Sequence, residues 1–199
     1  IREGRVQARV RHPHLVAVTD VLDLDGSPGL LMELAHGPAL DEWLARYRPT
    51  LDEAVRVFRG IVLGVGYAHA QGLVHRDLKP ANVLLHLDAG QVVPKVTDFG
   101  LAKLTESGDE NRTRSGVTMG TPAYMPPEQI RNAAAVDRRA DIYSLGCILY
   151  EMVTGEQAYR NDDMLALFND IASGAHVPAS ERVEGLPEAI LRTLSRTMA

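Results

Sequence analysis

The stretch His75-Arg76-Asp77-Leu78-Lys79-Pro80-Ala81-Asn82, followed by Asp98-Phe99-Gly100, narrows what this chain can fold into more than any other feature. It sets two carboxylates, a carboxamide and a lysine on loops beside two short apolar runs, Val83 to His86 and Val92 to Val96. Those runs flank a turn at Asp88-Ala89-Gly90 and read as paired strands, so the polar groups are expected at the root of a hairpin. Both neighbours of this region are helical in pattern. Upstream, Thr50-Leu51-Asp52-Glu53 is a capping box, followed by Ala54, Phe58, Ile61, Val62, Val65 and Ala68 at helical spacing, which predicts a largely buried helix ending near Gly72. Downstream, Ala140 to Thr154 is a strongly apolar helix closed by Gly155.

The rest of the chain fills in around these anchors. Ile1 to Arg11 reads as the tail of a helix stopped by His12-Pro13. Leu15 to Leu24 and Leu30 to Leu34 are apolar runs about a turn at Asp25-Gly26-Ser27-Pro28-Gly29, and Leu40 to Tyr47 reads as a short helix. From Thr105 to Pro127 the chain is polar and without periodicity, too long for a mere connector. Helices are expected over Asp163 to Ser173 and from Pro187 to the end. The fold class is α+β, strands early and helices late, with no interdomain linker.

Composition serves mainly to exclude. With 199 residues and 45% hydrophobic side chains, one sizeable core is within reach. A net charge of −5 with no basic stripe argues against nucleic-acid binding. The single cysteine, Cys147, rules out an internal disulfide framework and fits a reducing compartment. No apolar run approaches the length of a membrane span, and the N-terminal residues do not read as a signal peptide. The seven histidines show no ligand spacing with Cys147, which disfavours zinc. Lysine occurs only at Lys79, Lys95 and Lys103.

The chemistry follows from residue types. A carboxamide oxygen and a carboxylate are hard donors, suited to a Mg²⁺ ion that keeps waters and phosphate oxygens in its other positions. Phosphoryl transfer needs such a metal, a cation near the transferring group and a carboxylate to orient the incoming hydroxyl. Each residue also has an ordinary use, as a surface aspartate, a solvated lysine or a turn cap.

Taken together, these motifs resemble those of eukaryotic-type (Hanks-type) serine/threonine protein kinases, and the likeness covers essentially the whole chain. His75 to Asn82 is similar to that family's catalytic loop, and Asp98-Phe99-Gly100 to its metal-binding motif. Gly120-Thr121-Pro122-Ala123-Tyr124-Met125-Pro126-Pro127-Glu128 resembles the substrate-docking end of the activation segment, and Asp141 to Gly146 the start of the central buried helix. The Met-x-Pro-Glu-Gln phrase and the arginine-rich composition look most like bacterial members. The resemblance implies a kinase fold in which residues 1–34 are a remnant of the small lobe and 35–199 a large lobe lacking its C-terminal end.

The same resemblance assigns roles. Asp77 would orient the substrate hydroxyl and accept its proton, Lys79 would neutralise the γ-phosphate, and Thr121 would help present the acceptor. Asn82 and Asp98 would hold Mg²⁺. The Glu33 carbonyl and Ala35 amide would pair with the adenine of ATP, Met32 would guard the rear pocket and Leu84 would form the floor beneath the base. Arg76 implies activation by a phosphate on the following loop, at Thr113, Ser115 or Thr118. Glu3 matches the helix glutamate that pairs with a nucleotide-binding lysine, and that lysine and a glycine-rich loop are expected ahead of Ile1. Gln7 stands where an apolar residue is usual and Pro126 where alanine is usual. Gly60, Gly64 and Gly66 read as close helix packing rather than as a nucleotide loop.

The implied activity is transfer of the ATP γ-phosphate to serine or threonine hydroxyls of proteins, by a cytoplasmic part of a longer parent, whether or not that parent is anchored in a membrane. The 199 residues alone are expected to be inactive or nearly so. The alternatives are a pseudokinase or scaffold, which has no need of Asp77, Lys79, Asn82 and Asp98 together, and a small-molecule kinase, which has no need of Gly120 to Glu128.

Overall fold

The computed structural model describes residues 10–24, 27–99, 122–132 and 136–199. Two antiparallel hairpins are separated by two helices, and the remaining helices follow the second hairpin, so the α+β expectation holds among these residues. Strand β1 (Val18–Leu24) pairs with β2 (Ser27–Met32), with a register shift between Val18 and Asp20. β2 thus begins earlier than the apolar run at Leu30 suggested, because Ser27 and Pro28 already pair with Leu24 and Asp23.

Helix α1 (Leu40–Arg46) buries Leu40, and α2 (Leu51–Ala70) starts at the expected capping box. Glu53 N donates to Thr50 Oγ1 at 3.3 Å and Thr50 N donates to a Glu53 carboxylate oxygen at 2.8 Å, satisfying two otherwise orphaned amides. Its buried stripe is Ala54, Val57, Gly60, Ile61, Gly64, Val65 and Ala68, which keeps the expected Ala54, Ile61, Val65 and Ala68 but leaves Phe58 half-buried and Val62 outside. Val62 is 40% exposed, since it lies one position off the 57–61–65 row. The segment at 14–16 runs along this helix. The Cβ of an alanine at Gly64 would stand 2.5 Å from the His14 carbonyl oxygen, and one at Gly60 2.5 Å from the Pro94 ring. Gly66 meets nothing within 4 Å, so close packing explains only two of the three glycines.

Strands β3 (Val83–Asp88) and β4 (Gln91–Val96) form the second hairpin, closed by Ala89 and Gly90, both with positive φ (46° and 82°). Two positive values in succession match the twist of the flanking strands. Leu15 bridges Val96, and Val16 N donates to Val96 O at 2.9 Å, fastening the 14–16 segment to β4.

Five further helices complete the described residues: α3 (Pro127–Arg131), α4 (Arg138–Thr154), α5 (Met164–Ser173), α6 (Ala179–Arg182) and α7 (Glu188–Thr197). Asp137 caps α4 through Arg139 N, and Gly155 ends it in the left-handed conformation (φ 69°). This helix is buried on nearly all sides, packed by α2 and α7, and it carries Cys147, 1% exposed. Burial pushes the Cys147 thiol well up from its ordinary value. The expected α5 and α7 are present, each starting one residue later than predicted, and α7 stops at Thr197, two residues before the end. Among the described residues no helix is long and apolar enough to cross a membrane.

Candidate active site

A short 3₁₀ turn (Pro80–Asn82) leads from the polar loop into β3, and that connection brings the named residues together. In the β3–β4 register Val83 faces Val96. One step on, Thr97 N donates to Asn82 O at 3.0 Å, so Asn82 sits opposite the residue before Asp98. The Asn82 amide nitrogen donates to the Asp77 carbonyl at 2.7 Å, which tethers Asp77 to the same corner. The Asp77 carboxylate is about half exposed (52%) and takes a hydrogen bond from Lys79 Nζ at 2.8 Å.

Beneath this surface layer lies His75, 1% exposed. Its Nε2–H donates to the Thr97 carbonyl at 2.8 Å and its Nδ1 accepts from the Asp77 amide at 3.3 Å, the pattern of a neutral ring. Burial lowers its pKa below the ordinary histidine value, outweighing the opposing pull of Asp141. The imidazole packs on Phe99 with ring centroids 4.7 Å apart.

Two non-glycine residues here hold left-handed backbone, Arg76 (φ 69°) and Asp98 (φ 62°). Such conformations persist only where neighbours enforce them. For Arg76 the enforcers are visible: its N–H donates to Asp141 Oδ1 at 2.8 Å and its carbonyl accepts from Gln129 Nε2 at 2.7 Å. Asp141, fully buried in the first turn of α4, also accepts from His75 N at 2.8 Å and pairs with His69 Nε2 at 2.6 Å. Sequence reasoning placed Asp141 in a motif but gave it no role, and it passed over His69 and Gln129. The available signal was a carboxylate at the head of a helix otherwise too apolar to tolerate one unpaired.

The donor chemistry fits a magnesium ion. With its nitrogen engaged by Asp77, the Asn82 side chain offers its oxygen, and Asp98 supplies a carboxylate whose Oδ1 has Thr97 Oγ1 at 3.5 Å. One amide oxygen and one carboxylate, beside strand ends open to phosphate oxygens, suit an ion that keeps part of its water shell.

Adjacent to this corner the chain leaves β2 at Met32 and runs through Glu33, Leu34 and Ala35 without regular structure. Glu33 N donates to Ala17 O at 2.9 Å, and its side-chain Oε1 accepts from Ala17 N at 2.9 Å and Lys95 Nζ at 2.8 Å. Burial pushes the Glu33 carboxyl up, but these hydrogen bonds and the Lys95 charge outweigh it and hold it below the usual carboxylate value. Met32, with Val18, Leu30, Val96, Asp98 and Phe99, lines an apolar cavity. Leu84, half-buried on β3, pairs with Lys95.

The end of the long polar segment is anchored on α4. Ser144 Oγ donates to Tyr124 O at 2.8 Å, and the Tyr124 hydroxyl donates to Glu151 Oε2 at 2.5 Å. Glu3, Thr113, Ser115, Thr118 and Thr121 lie outside the described residues, as do Gln7, Gly100 and Gly120.

Known proteins resemble this chain over essentially its whole length. The family model described as "Protein kinase domain" matches residues 1–193. The chain is 38% identical over 199 residues to the serine/threonine-protein kinase PknH of Mycobacterium bovis, covering all of this chain and 32% of that protein. It is 39% identical over 186 residues to PknL of Mycobacterium tuberculosis, covering 93% of this chain and 45% of that one. It therefore spans less than half the length of these relatives. Among solved structures, Rad53 1–466 in complex with AMP-PNP superposes with a TM-score of 0.80 at 27% identity, covering 100% of this chain and 49% of that chain.

Proposed function

The chain belongs to the protein kinase domain family, and from that premise we propose that it forms the catalytic part of a protein that moves the γ-phosphate of ATP to serine or threonine hydroxyls. The family implies use of ATP. The observation that carries the reading is the corner built by the β3–β4 register, where Asp77, Lys79 and Asn82 meet the strand end that bears Asp98.

In this reading Asp77, exposed and steadied through its carbonyl by Asn82, accepts a hydrogen bond from the incoming hydroxyl and takes its proton. Lys79 sits on the same carboxylate and supplies positive charge for the transferring phosphoryl oxygens. Asn82 and Asp98 hold Mg²⁺, which when bound neutralises charge on the phosphates. Neutral His75 keeps the Asp77 amide and the Thr97 carbonyl at fixed separation beneath the site. The Glu33 carbonyl and Ala35 amide pair with adenine above Leu84, and Met32 closes the rear. Arg76 supplies the cation for a phosphate on the loop at Thr113, Ser115 or Thr118, and Thr121 helps seat the acceptor. Residues 1–34 act as part of the small lobe and 35–199 as large lobe, in a cytoplasmic setting consistent with the free Cys147.

The test is phosphate transfer from labelled ATP by the parent protein, beside its Asp77→Asn variant. We expect the variant to lose activity by about a hundredfold or more. Equal transfer by a folded Asp77→Asn protein would overturn the assignment.

A further inference from the structure

Glu33 makes contacts that backbone pairing with a nucleotide does not require. Its N–H and its carboxylate engage the two polar groups of the same residue, Ala17 O and Ala17 N, both at 2.9 Å. Ala17 immediately precedes β1 and Glu33 immediately follows β2, so this double clasp closes the open end of the first hairpin. It sits next to the register shift between Val18 and Asp20, where ladder pairing is disturbed. The third partner, Lys95, comes from the other hairpin. Its Nζ meets the same Oε1 at 2.8 Å, and its side chain is only 12% exposed against 33% for Glu33.

Lys95 is also one of three lysines in a chain that otherwise uses arginine for its basic side chains. It lies directly opposite Leu84 in the β3–β4 ladder, and directly opposed residues share a face of a sheet. One residue therefore stands opposite the residue proposed beneath the base and reaches with its ammonium to the Glu33 carboxylate, which is clasped to Ala17 at the start of residues 33–35. The pair is half-sheltered: among the described residues, removing Lys95 leaves the Glu33 carboxylate held by Ala17 N alone, and removing Glu33 leaves a largely buried ammonium without this acceptor.

We propose that Lys95 is a positioning residue of the nucleotide site, acting through the Glu33 carboxylate to hold the 33–35 backbone where its carbonyl and amide meet the base. This rests on the kinase reading above. Lys95 touches neither phosphate nor acceptor, so its influence falls on nucleotide affinity and leaves the chemical step at Asp77 alone.

The experiment is isothermal calorimetry of ATP binding to the parent protein, wild type against Lys95→Met, Lys95→Arg and Glu33→Gln, with KM and kcat measured alongside. Lys95→Met should weaken ATP binding about fivefold, the size of effect that coupled side chains show. KM for ATP should rise in parallel, with kcat and the acceptor KM within twofold. Lys95→Arg should recover most of the affinity, and Glu33→Gln combined with Lys95→Met should be no worse than the weaker single variant. Without nucleotide, amide hydrogen exchange across 33–36 should speed up in Lys95→Met, which a loss of general stability would not confine to that segment. ATP affinity of Lys95→Met within twofold of wild type would overturn the proposal. If Lys95→Met fails to fold, wild-type affinity in folded Glu33→Gln would overturn it instead. A wild-type protein that binds ATP without transferring phosphate would sink the kinase reading, while calorimetry would still decide the role of Lys95.

Discussion

Asp141 serves three donors with one buried carboxylate: the His75 amide, the Arg76 amide and the His69 ring. The first two are consecutive backbone groups of the loop that presents Asp77, and the second belongs to a residue in the left-handed region. Asp141 thus supplies the interaction that offsets backbone strain at Arg76, the residue immediately before a proposed base. Replacing it with asparagine keeps the volume but turns an NH₂ toward at least one of these donors. Asp141→Asn should therefore lower stability by about 3 kcal/mol, through a buried donor left without an acceptor. It should also cost phosphotransfer beyond what the loss of folded protein explains. Urea denaturation beside activity per folded molecule checks both. Removal of a surface carboxylate would by contrast move neither by much.

Helix α2 shows how three glycines in one element come to mean different things. Gly64 and Gly60 are where the 14–16 segment and Pro94 approach the helix, so a methyl group at either collides with backbone or ring. Gly66 faces open space. Gly64→Ala should destabilise by about 1–3 kcal/mol, from displacement of the His14 backbone. Gly66→Ala should stabilise by about 0.5–1 kcal/mol, by reducing the freedom of the unfolded chain within a helix. Thermal unfolding of the two variants checks the opposite signs. Spacing in the sequence located the helix and its caps because Thr50, Glu53 and Gly72 act within a turn or two of themselves. It misjudged Val62 and could not sort the glycines, because what lies against a helix comes from residues such as His14 and Pro94, remote in sequence. Likewise α6, a single turn bounded by Pro178 and Val183, has too few residues for periodicity to register.

Over the whole molecule, the proposed chemical groups were legible because they cluster in a short stretch whose strand register is local, from Asp77 to Asp98. Their supports were not, because Asp141 and Gln129 reach the site from other elements and Lys95, though inside that stretch, acts on Glu33 beyond the first hairpin. These supports make stability depend on pH in a definite direction. Burial holds His75 neutral, with a pKa below the ordinary value of 6.5, and it also lowers that of His12, with His14 adding to the effect. As pH falls below about 6.5 the unfolded chain takes up protons that the folded one refuses, so stability drops. Each such histidine contributes at most about 1.4 kcal/mol per pH unit. Glu33, held below 4.5, keeps its contribution throughout that window and loses it only in stronger acid. Urea midpoints at pH 7.5, 6.5 and 5.5 should fall in order, with a shallower slope for His75→Gln. A flat profile would contradict a buried neutral ring. The sole thiol of the chain bears on a different kind of experiment. Cys147 is sealed inside α4 with its ionisation suppressed, and only the thiolate reacts with maleimides or iodoacetamides. The folded protein thus offers a silent background, on which a cysteine introduced at an exposed position such as Leu34 would carry a fluorophore or spin label without any native residue first being removed.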